Sequence, residues 1–338
     1  MPQDEPHAST PANAAPARKA PAPVTAPSPA AAPASPPSAS TLTDLRMRAE
    51  YVALRGLVGL VRLLPLSWAT GLSARAWRLL APHQRRHKRA LANLAQAYPE
   101  KSDAEREAIA LAMWENLGRV MAETMQIDRI LAEPDRIEIV SQNVFARYRD
   151  KLGPAVGVSL HMGNWELAIW PLTLAGAKPA AVYRTVKNPY VDQFLRDQRR
   201  ALYPGGLLGK GKVEGSSAEG QKTARQIMEL VRRGGRLGLV CDLYDRQGLP
   251  VPFFGRPAPS VVIPAMIARR TGARIWMARC TRVGKESRFR IELKELQVPR
   301  STNQSADVKA TTAAMQAQFE AWIREVPEQW MWSNRRWE

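Results

Sequence analysis

From residue 155 onward, short apolar runs alternate with longer amphipathic ones. The runs near 155–160, 180–184, 236–241, 274–281 and 288–293 read as strands, and those near 165–175, 189–201, 218–233, 261–271 and 307–325 read as helices. That alternation argues an α/β fold, a central mixed sheet flanked by helices. Upstream, residues 102–131 carry apolar residues at helical spacing, with Ser102 as N-cap and Glu105 three residues on, the spacing of a capping box. Trp114, Leu117, Val120 and Met121 are its core-facing positions, and Ile137–Val140 opens the β-rich half.

The segment 45–80 is apolar but interrupted. Arg48, Arg55 and Arg62 recur every seven residues, which stacks them into one stripe on a helix, while Val52, Leu54, Leu57, Val58, Val61 and Leu64 cover most of the rest. A charge at the bilayer centre costs about 2.5–3.5 kcal/mol on insertion scales, so a spanning helix is disfavoured. Two readings remain: helices lying in the membrane interface, with the arginines on anionic head groups and Tyr51, Trp68 and Trp77 at the boundary, or helices packed on the protein's own core. The first is the expectation: an N-terminal helical membrane-associating region over 41–82, ahead of a domain over 83–338.

Composition sharpens this picture at both ends. Residues 1–40 are mostly Ala and Pro, too poor in large apolar side chains to offset ordering entropy, and are expected to be unfolded. Their charges, Asp4, Glu5, Arg18 and Lys19, cancel, so the net charge of +18 belongs to residues 41–338. That charge suits acidic partners and anionic membrane lipids; it is spread along the chain without a zinc-finger, RNP or basic-zipper signature, so nucleic acid is not expected. The two cysteines, Cys241 and Cys280, lie in strand-like runs and read as core thiols of a reducing compartment.

Of the four histidines, His7 is in the tail and His83 and His87 lie in a run of cations. His83 and His87 have the i, i+4 spacing of a zinc helix, but Gln84 stands where that motif needs Glu, and neighbouring cations would repel a metal; no metal is expected. The basic run suits phosphates or an acidic partner. Gly206–Lys212 matches Gly-x4-Gly-Lys, yet Val213 replaces the Ser/Thr that would hold magnesium, which leaves a flexible basic loop rather than an ATP site.

His161 alone sits in the β-rich half, where a strand hands over to a helix. In a continuous helix His161 and Glu166 would point about 140° apart, but a turn at Gly163 and Asn164 lets them converge. A carboxylate on one imidazole nitrogen fixes the tautomer and supports the charge formed when the other takes a proton. Such a dyad activates a hydroxyl; the competing reading is a satisfied core histidine and a helix N-terminal Glu.

Val158-Ser159-Leu160-His161-Met162-Gly163-Asn164-Trp165-Glu166 resembles the His-x4-Asp/Glu motif of glycerolipid acyltransferases, in the form typical of the late acyltransferases of bacterial lipid A synthesis. Three more stretches resemble that family's blocks in order: Val182-Tyr183-Arg184-Thr185-Val186-Lys187-Asn188-Pro189; Asp242 followed by Val251-Pro252-Phe253-Phe254-Gly255-Arg256-Pro257-Ala258, with Pro264-Ala265 and Thr271-Gly272-Ala273; and Gln329-Trp330-Met331-Trp332-Ser333-Asn334-Arg335-Arg336-Trp337. Leu243 and Asn334 depart from it, where Gln and His are common.

The resemblance implies transfer of a fatty acyl chain from acyl carrier protein, or acyl-CoA, to a hydroxyl of a lipid A precursor at the cytoplasmic face of a bacterial inner membrane. His161 is then the general base and Glu166 its orienting partner. Arg184 would stabilise the oxyanion, bind phosphate or form a structural ion pair; Asn188, Asp242 and Arg256 would contact substrate. Phe253 and Phe254 would line an acyl tunnel or form a core turn. Thioester-to-hydroxyl transfer calls for no metal or redox cofactor, so none is expected. The same chemistry on another lysophospholipid, and a non-catalytic basic binding protein, remain the competing functions.

Overall fold

Five consecutive buried residues, Ala155–Ser159, form the strand at the middle of the sheet, and they are buried because both faces are covered. On one face Val156, Val158 and Leu160 share a core with Ile267, Met315 and Phe319; on the other, Ala155 shares one with Leu167, Ile169 and Trp276. Side chains on a strand alternate between faces, so one apolar run feeds both cores.

The structure, a computed structural model, describes residues 41–141, 143, 144, 146, 153–210 and 217–337. The Ala/Pro-rich segment 1–40 and residues 211–216 of the basic loop lie outside the described residues. In chain order the strands are β1 (Ile137–Ile139), β2 (Ala155–Ser159), β3 (Pro179–Arg184), β4 (Leu207–Lys210), β5 (Arg236–Val240), β6 (Tyr244–Phe253), β7 (Arg256–Ser260), β8 (Arg274–Arg282) and β9 (Phe289–Leu296). Seven of them make a mixed sheet in the order β1-β9-β8-β2-β5-β3-β4, parallel throughout except for the antiparallel β8–β9 pair. The mixed sheet flanked by helices is the expected architecture.

The described helices are α1 (Thr41–Leu63), α2 (Leu66–Leu80), α3 (Arg85–Ala97), α4 (Asp103–Thr124), α5 (Ile127–Leu131), α6 (Trp170–Leu174, entered through a 3₁₀ turn Trp165–Ile169), α7 (Pro189–Arg199), α8 (Ser217–Arg232), α9 (Ile263–Thr271) and α10 (Gln304–Glu325). Ser102 and Glu105 form the anticipated capping box, with the Ser102 N–H donating to Glu105 at 2.8 Å. The helix ends at Thr124 rather than running to residue 131: Gln126 leaves helical geometry, and the Met125 carbonyl is taken by Arg62 of α1.

Each arginine of the α1 stripe has a contact within the fold, with Arg62 half-buried and Arg48 and Arg55 still exposed. Arg62 forms a two-pronged pair with Asp128 at 2.8 and 2.7 Å, Arg55 lies over the Phe194 ring and Arg48 over the Tyr190 ring. Tyr51 packs on Tyr190 and Phe194, and Trp77 stacks on Trp114. The Asp128 carboxylate on α5 and the aromatic faces on α7 thus give these guanidinium groups partners within the fold, alongside whatever their exposed parts meet. The face left outward is apolar, with Leu45, Leu60, Leu63, Trp68, Leu79 and Leu80 exposed. No helix among the described residues is long and apolar enough to cross a membrane.

Two strands escape the sequence pattern. Residues 207–210 of the expected flexible loop pair with β3 as the sheet's edge strand, which a four-residue run with one glycine does not announce. β6 and β7 form a hairpin rich in proline, tolerated because the two strands pair only with each other. Its tip, Phe254 and Gly255, has φ of 52° and 69°, the positive values of a tight hairpin turn.

Candidate active site

The sheet register brings the central groups together. β2 and β5 run parallel with Ser159 opposite Val240, so two residues beyond each strand His161 meets Asp242. Asp242 accepts hydrogen bonds from the His161 Nδ1 at 2.8 Å, the His161 backbone N–H at 2.9 Å and the Trp330 Nε1 at 2.7 Å. A carboxylate only accepts, so Nδ1 carries the ring proton and Nε2 presents its lone pair. Nε2 has no hydrogen-bond partner among the described residues, and the His161 side chain is 19% exposed.

Burial disfavours the charged imidazole, but the Asp242 carboxylate outweighs it and holds the His161 pKa above the ordinary value, with Glu166 adding in the same direction. Burial likewise disfavours the charged Asp242, and the His161 charge and hydrogen bonds, with Trp330, hold its pKa below the ordinary value.

Glu166 does not make the expected hydrogen bond. The chain turns at Gly163, with φ of 55°, but the 3₁₀ turn that follows carries Glu166 to Arg199 of α7, which grips it at 2.8 and 2.6 Å. A guanidinium fork satisfies both carboxylate oxygens, whereas the imidazole already has its partner across the sheet. Glu166 therefore reaches His161 through its charge rather than through contact. Arg199 and Trp330 join the site from distant parts of the chain: Trp330 belongs to the C-terminal aromatic block, and nothing local in the sequence marks Arg199.

The other anticipated contacts divide. Arg184 is exposed at the C-terminal end of β3, on the edge of the sheet where His161 lies, without an ion-pair partner among the described residues. Asn188 is buried as the N-cap of α7, accepting from Tyr190 and Val191 and donating to the Met47 carbonyl and Glu50 of α1, so its polar atoms are committed to joining two helices. Phe253 and Phe254 are buried rather than open to a cleft. Their rings pack with Trp330, Trp332, Trp337 and Tyr98, and the Arg324 guanidinium lies 4.4 Å from the Phe254 ring. Of the two expected roles they take the core turn, and Phe253 backs Trp330, the indole that bonds Asp242. Arg256 is exposed at the hairpin tip.

A narrow apolar crevice runs between the sheet and the 3₁₀–α6 segment, lined in part by Gly157, Gly238, Trp165, Ile169, Leu172 and Trp276. Trp165 is the link to the base, its ring lying 5.3 Å from that of His161. At Gly238 a side chain would reach 2.8 Å from Ile169 Cδ1, so the glycine keeps the crevice floor low. His87, by contrast, is buried under α4, where Nδ1 accepts from Trp114 at 3.0 Å and Nε2 meets Glu107 at 3.1 Å; no group of three or more metal-binding side chains occurs among the described residues.

Against known proteins, residues 40–338 match the family model described as bacterial lipid A biosynthesis acyltransferase. Two phosphatidylinositol mannoside acyltransferases of Mycobacterium tuberculosis, from strains ATCC 25618 / H37Rv and CDC 1551 / Oshkosh, are 25% and 26% identical over 255 residues, covering 72% of this chain and 75% of each relative.

Proposed function

Because the chain belongs to the bacterial lipid A biosynthesis acyltransferase family, we propose that it transfers a fatty acyl chain from acyl carrier protein to a hydroxyl of a lipid A precursor, with His161 as base. The observation that carries this is the His161–Asp242 pair, with Nδ1 committed to the carboxylate and Nε2 left to the substrate. Nε2 takes the hydroxyl proton as the oxygen attacks the thioester carbonyl. The tetrahedral intermediate then collapses, the C–S bond breaks, and the leaving thiolate recovers the proton from the imidazolium. Asp242 orients the ring and balances its transient charge, and Glu166, held by Arg199, adds a second negative charge nearby.

The crevice beside Trp165 suits the acyl chain, since its walls are aliphatic and aromatic and it adjoins the base. Arg184 is the candidate for a phosphate of the acceptor or for the oxyanion. The outward apolar face of α1 and α2 suits the membrane that holds a lipid acceptor, at the cytoplasmic face of the inner membrane, and the positive charge of the body favours its anionic lipids and an acidic carrier protein.

The test incubates purified wild type and His161→Ala with a labelled acyl carrier protein thioester and a tetra-acylated lipid A precursor, followed by mass spectrometry. Transfer by wild type alone is expected; wild-type turnover by His161→Ala would overturn the mechanism. A second acceptor class is favoured by the two mycobacterial relatives, whose names specify phosphatidylinositol mannoside. Transfer to that glycolipid and not to the lipid A precursor would select it.

A further inference from the structure

The turn that carries His161 is held from beneath by a charged cluster that takes no part in the proposed chemistry. Glu123 of α4 is fully buried, and its carboxylate receives four hydrogen bonds: two from Arg282 of β8, one from Ser287 at 2.7 Å and one from the Asn164 side chain at 2.9 Å. Arg282 also donates through Nε to Asn116 at 3.0 Å, and Asn116 donates to the Gly163 carbonyl at 3.2 Å. Residues 163 and 164 are thus both tied to α4.

The turn is pressed against the sheet on its other side. A side chain at Gly163 would sit 1.9 Å from the Cys280 carbonyl oxygen, and the Gly163 N–H bonds the Gln329 carbonyl at 2.9 Å. Gln329 reaches back to the Arg282 backbone in both directions, and Met331 donates to the His161 carbonyl. Arg282 is therefore shared between the C-terminal strap and the floor of the turn.

We propose that Glu123 is a positioning residue, which through Asn164 and Arg282 holds the Gly163–Asn164 turn so that His161 stays aligned with Asp242 and the acceptor hydroxyl. The inference rests on His161 being the base. A buried ion pair contributes little net stability against an apolar replacement, but it restricts the geometry, because the donors around Glu123 lose their bonds if they move. Beneath a catalytic turn that is the useful property: a misplacement of about 1 Å at a base can cost on the order of 10²-fold in rate.

Asn164→Ala cuts the direct hydrogen bond from the turn to Glu123 while leaving the bonds to Arg282 and Ser287, and the route through Asn116, in place; Glu123→Gln removes the charge at nearly constant shape. Each variant, and the double variant, is assayed for kcat and for KM of donor and acceptor per folded molecule, and the His161 ring is titrated by NMR. Positioning predicts kcat lowered roughly 10- to 100-fold with both KM values within about twofold. It also predicts a His161 titration moved down toward the ordinary histidine range as the ring drifts from Asp242, and a double variant no worse than the poorer single one. Wild-type kcat and an unchanged His161 titration in Asn164→Ala would overturn the proposal, also where Glu123→Gln fails to fold. Wild-type turnover in His161→Ala would instead remove the base assignment, while the titration in Asn164→Ala still reports on the ring's alignment.

Discussion

Replacing Asp242 by Asn changes little in volume and tests the geometry of the base directly. Three N–H donors converge on the two carboxylate oxygens: His161 Nδ1–H on one, the His161 backbone and Trp330 indole on the other. Asparagine offers one oxygen and one NH₂ group. The oxygen settles where two donors meet, so the NH₂ group faces Nδ1. The ring then accepts at Nδ1 and carries its proton on Nε2, the atom that must receive the proton of the acceptor hydroxyl. Restoring the competent tautomer sets two buried donors against each other, at about 1–3 kcal/mol each. The resulting 2–6 kcal/mol corresponds to a loss on the order of 30- to 10⁴-fold in kcat.

The pH dependence moves as well. A base works when neutral, and Asp242 holds the His161 pKa above 6.5, so the wild-type acid limb lies above that value and shifts down in Asp242→Asn. In stability, the His161 contribution is fully present below about pH 6.5 and lost as pH rises through the folded pKa; that of Asp242 is present above about pH 3.8 and lost as pH falls through its lowered folded pKa. The pair therefore stabilises most between those values, and the variant loses that maximum. Steady-state acyl transfer from pH 5 to 9, with folding checked by near-UV circular dichroism, reads both effects. A folded variant within threefold of wild-type kcat would refute the tautomer argument.

Glu166→Ala leaves the Arg199 guanidinium, 23% exposed, without its carboxylate, and is expected to lower unfolding free energy by about 2–4 kcal/mol in denaturant titration, somewhat under the cost for a fully buried pair. Gly238→Ala places a methyl 2.8 Å from Ile169 Cδ1; a donor series is expected to show preference moving to shorter acyl chains, at an overpacking cost of about 1–3 kcal/mol in stability, and an unchanged chain-length profile would move the acyl site elsewhere. Leu63→Ser with Leu79→Ser, at positions 80% and 70% exposed, is expected to weaken binding to anionic vesicles at least tenfold without lowering the melting temperature, since each leucine is worth about 1.5–3 kcal/mol when fully buried; equal vesicle binding would disconnect this face from the membrane.

What the sequence determined by itself was local. The apolar runs around 155–160 and 236–241 and the amphipathic stretches between them declare strands and helices, because side-chain period is a property of neighbouring residues. Ser102 and Glu105 declare a helix start for the same reason. His161 stood out by its surroundings, and the motif blocks pointed to the family.

Partnership across the fold was decided only by tertiary structure. Asp242 lies 81 residues from His161 and becomes its partner through the parallel register of two strands, while Glu166, five residues away, is turned toward Arg199. The arginines of α1 show the same limit: their seven-residue spacing fixes one stripe, but not whether it faces lipid or α5 and α7. Phe253 and Phe254 read as tunnel or core with equal ease until the C-terminal tryptophans close over them. Periodicity specifies which side chains share a face; what that face meets depends on contacts between segments far apart in the chain.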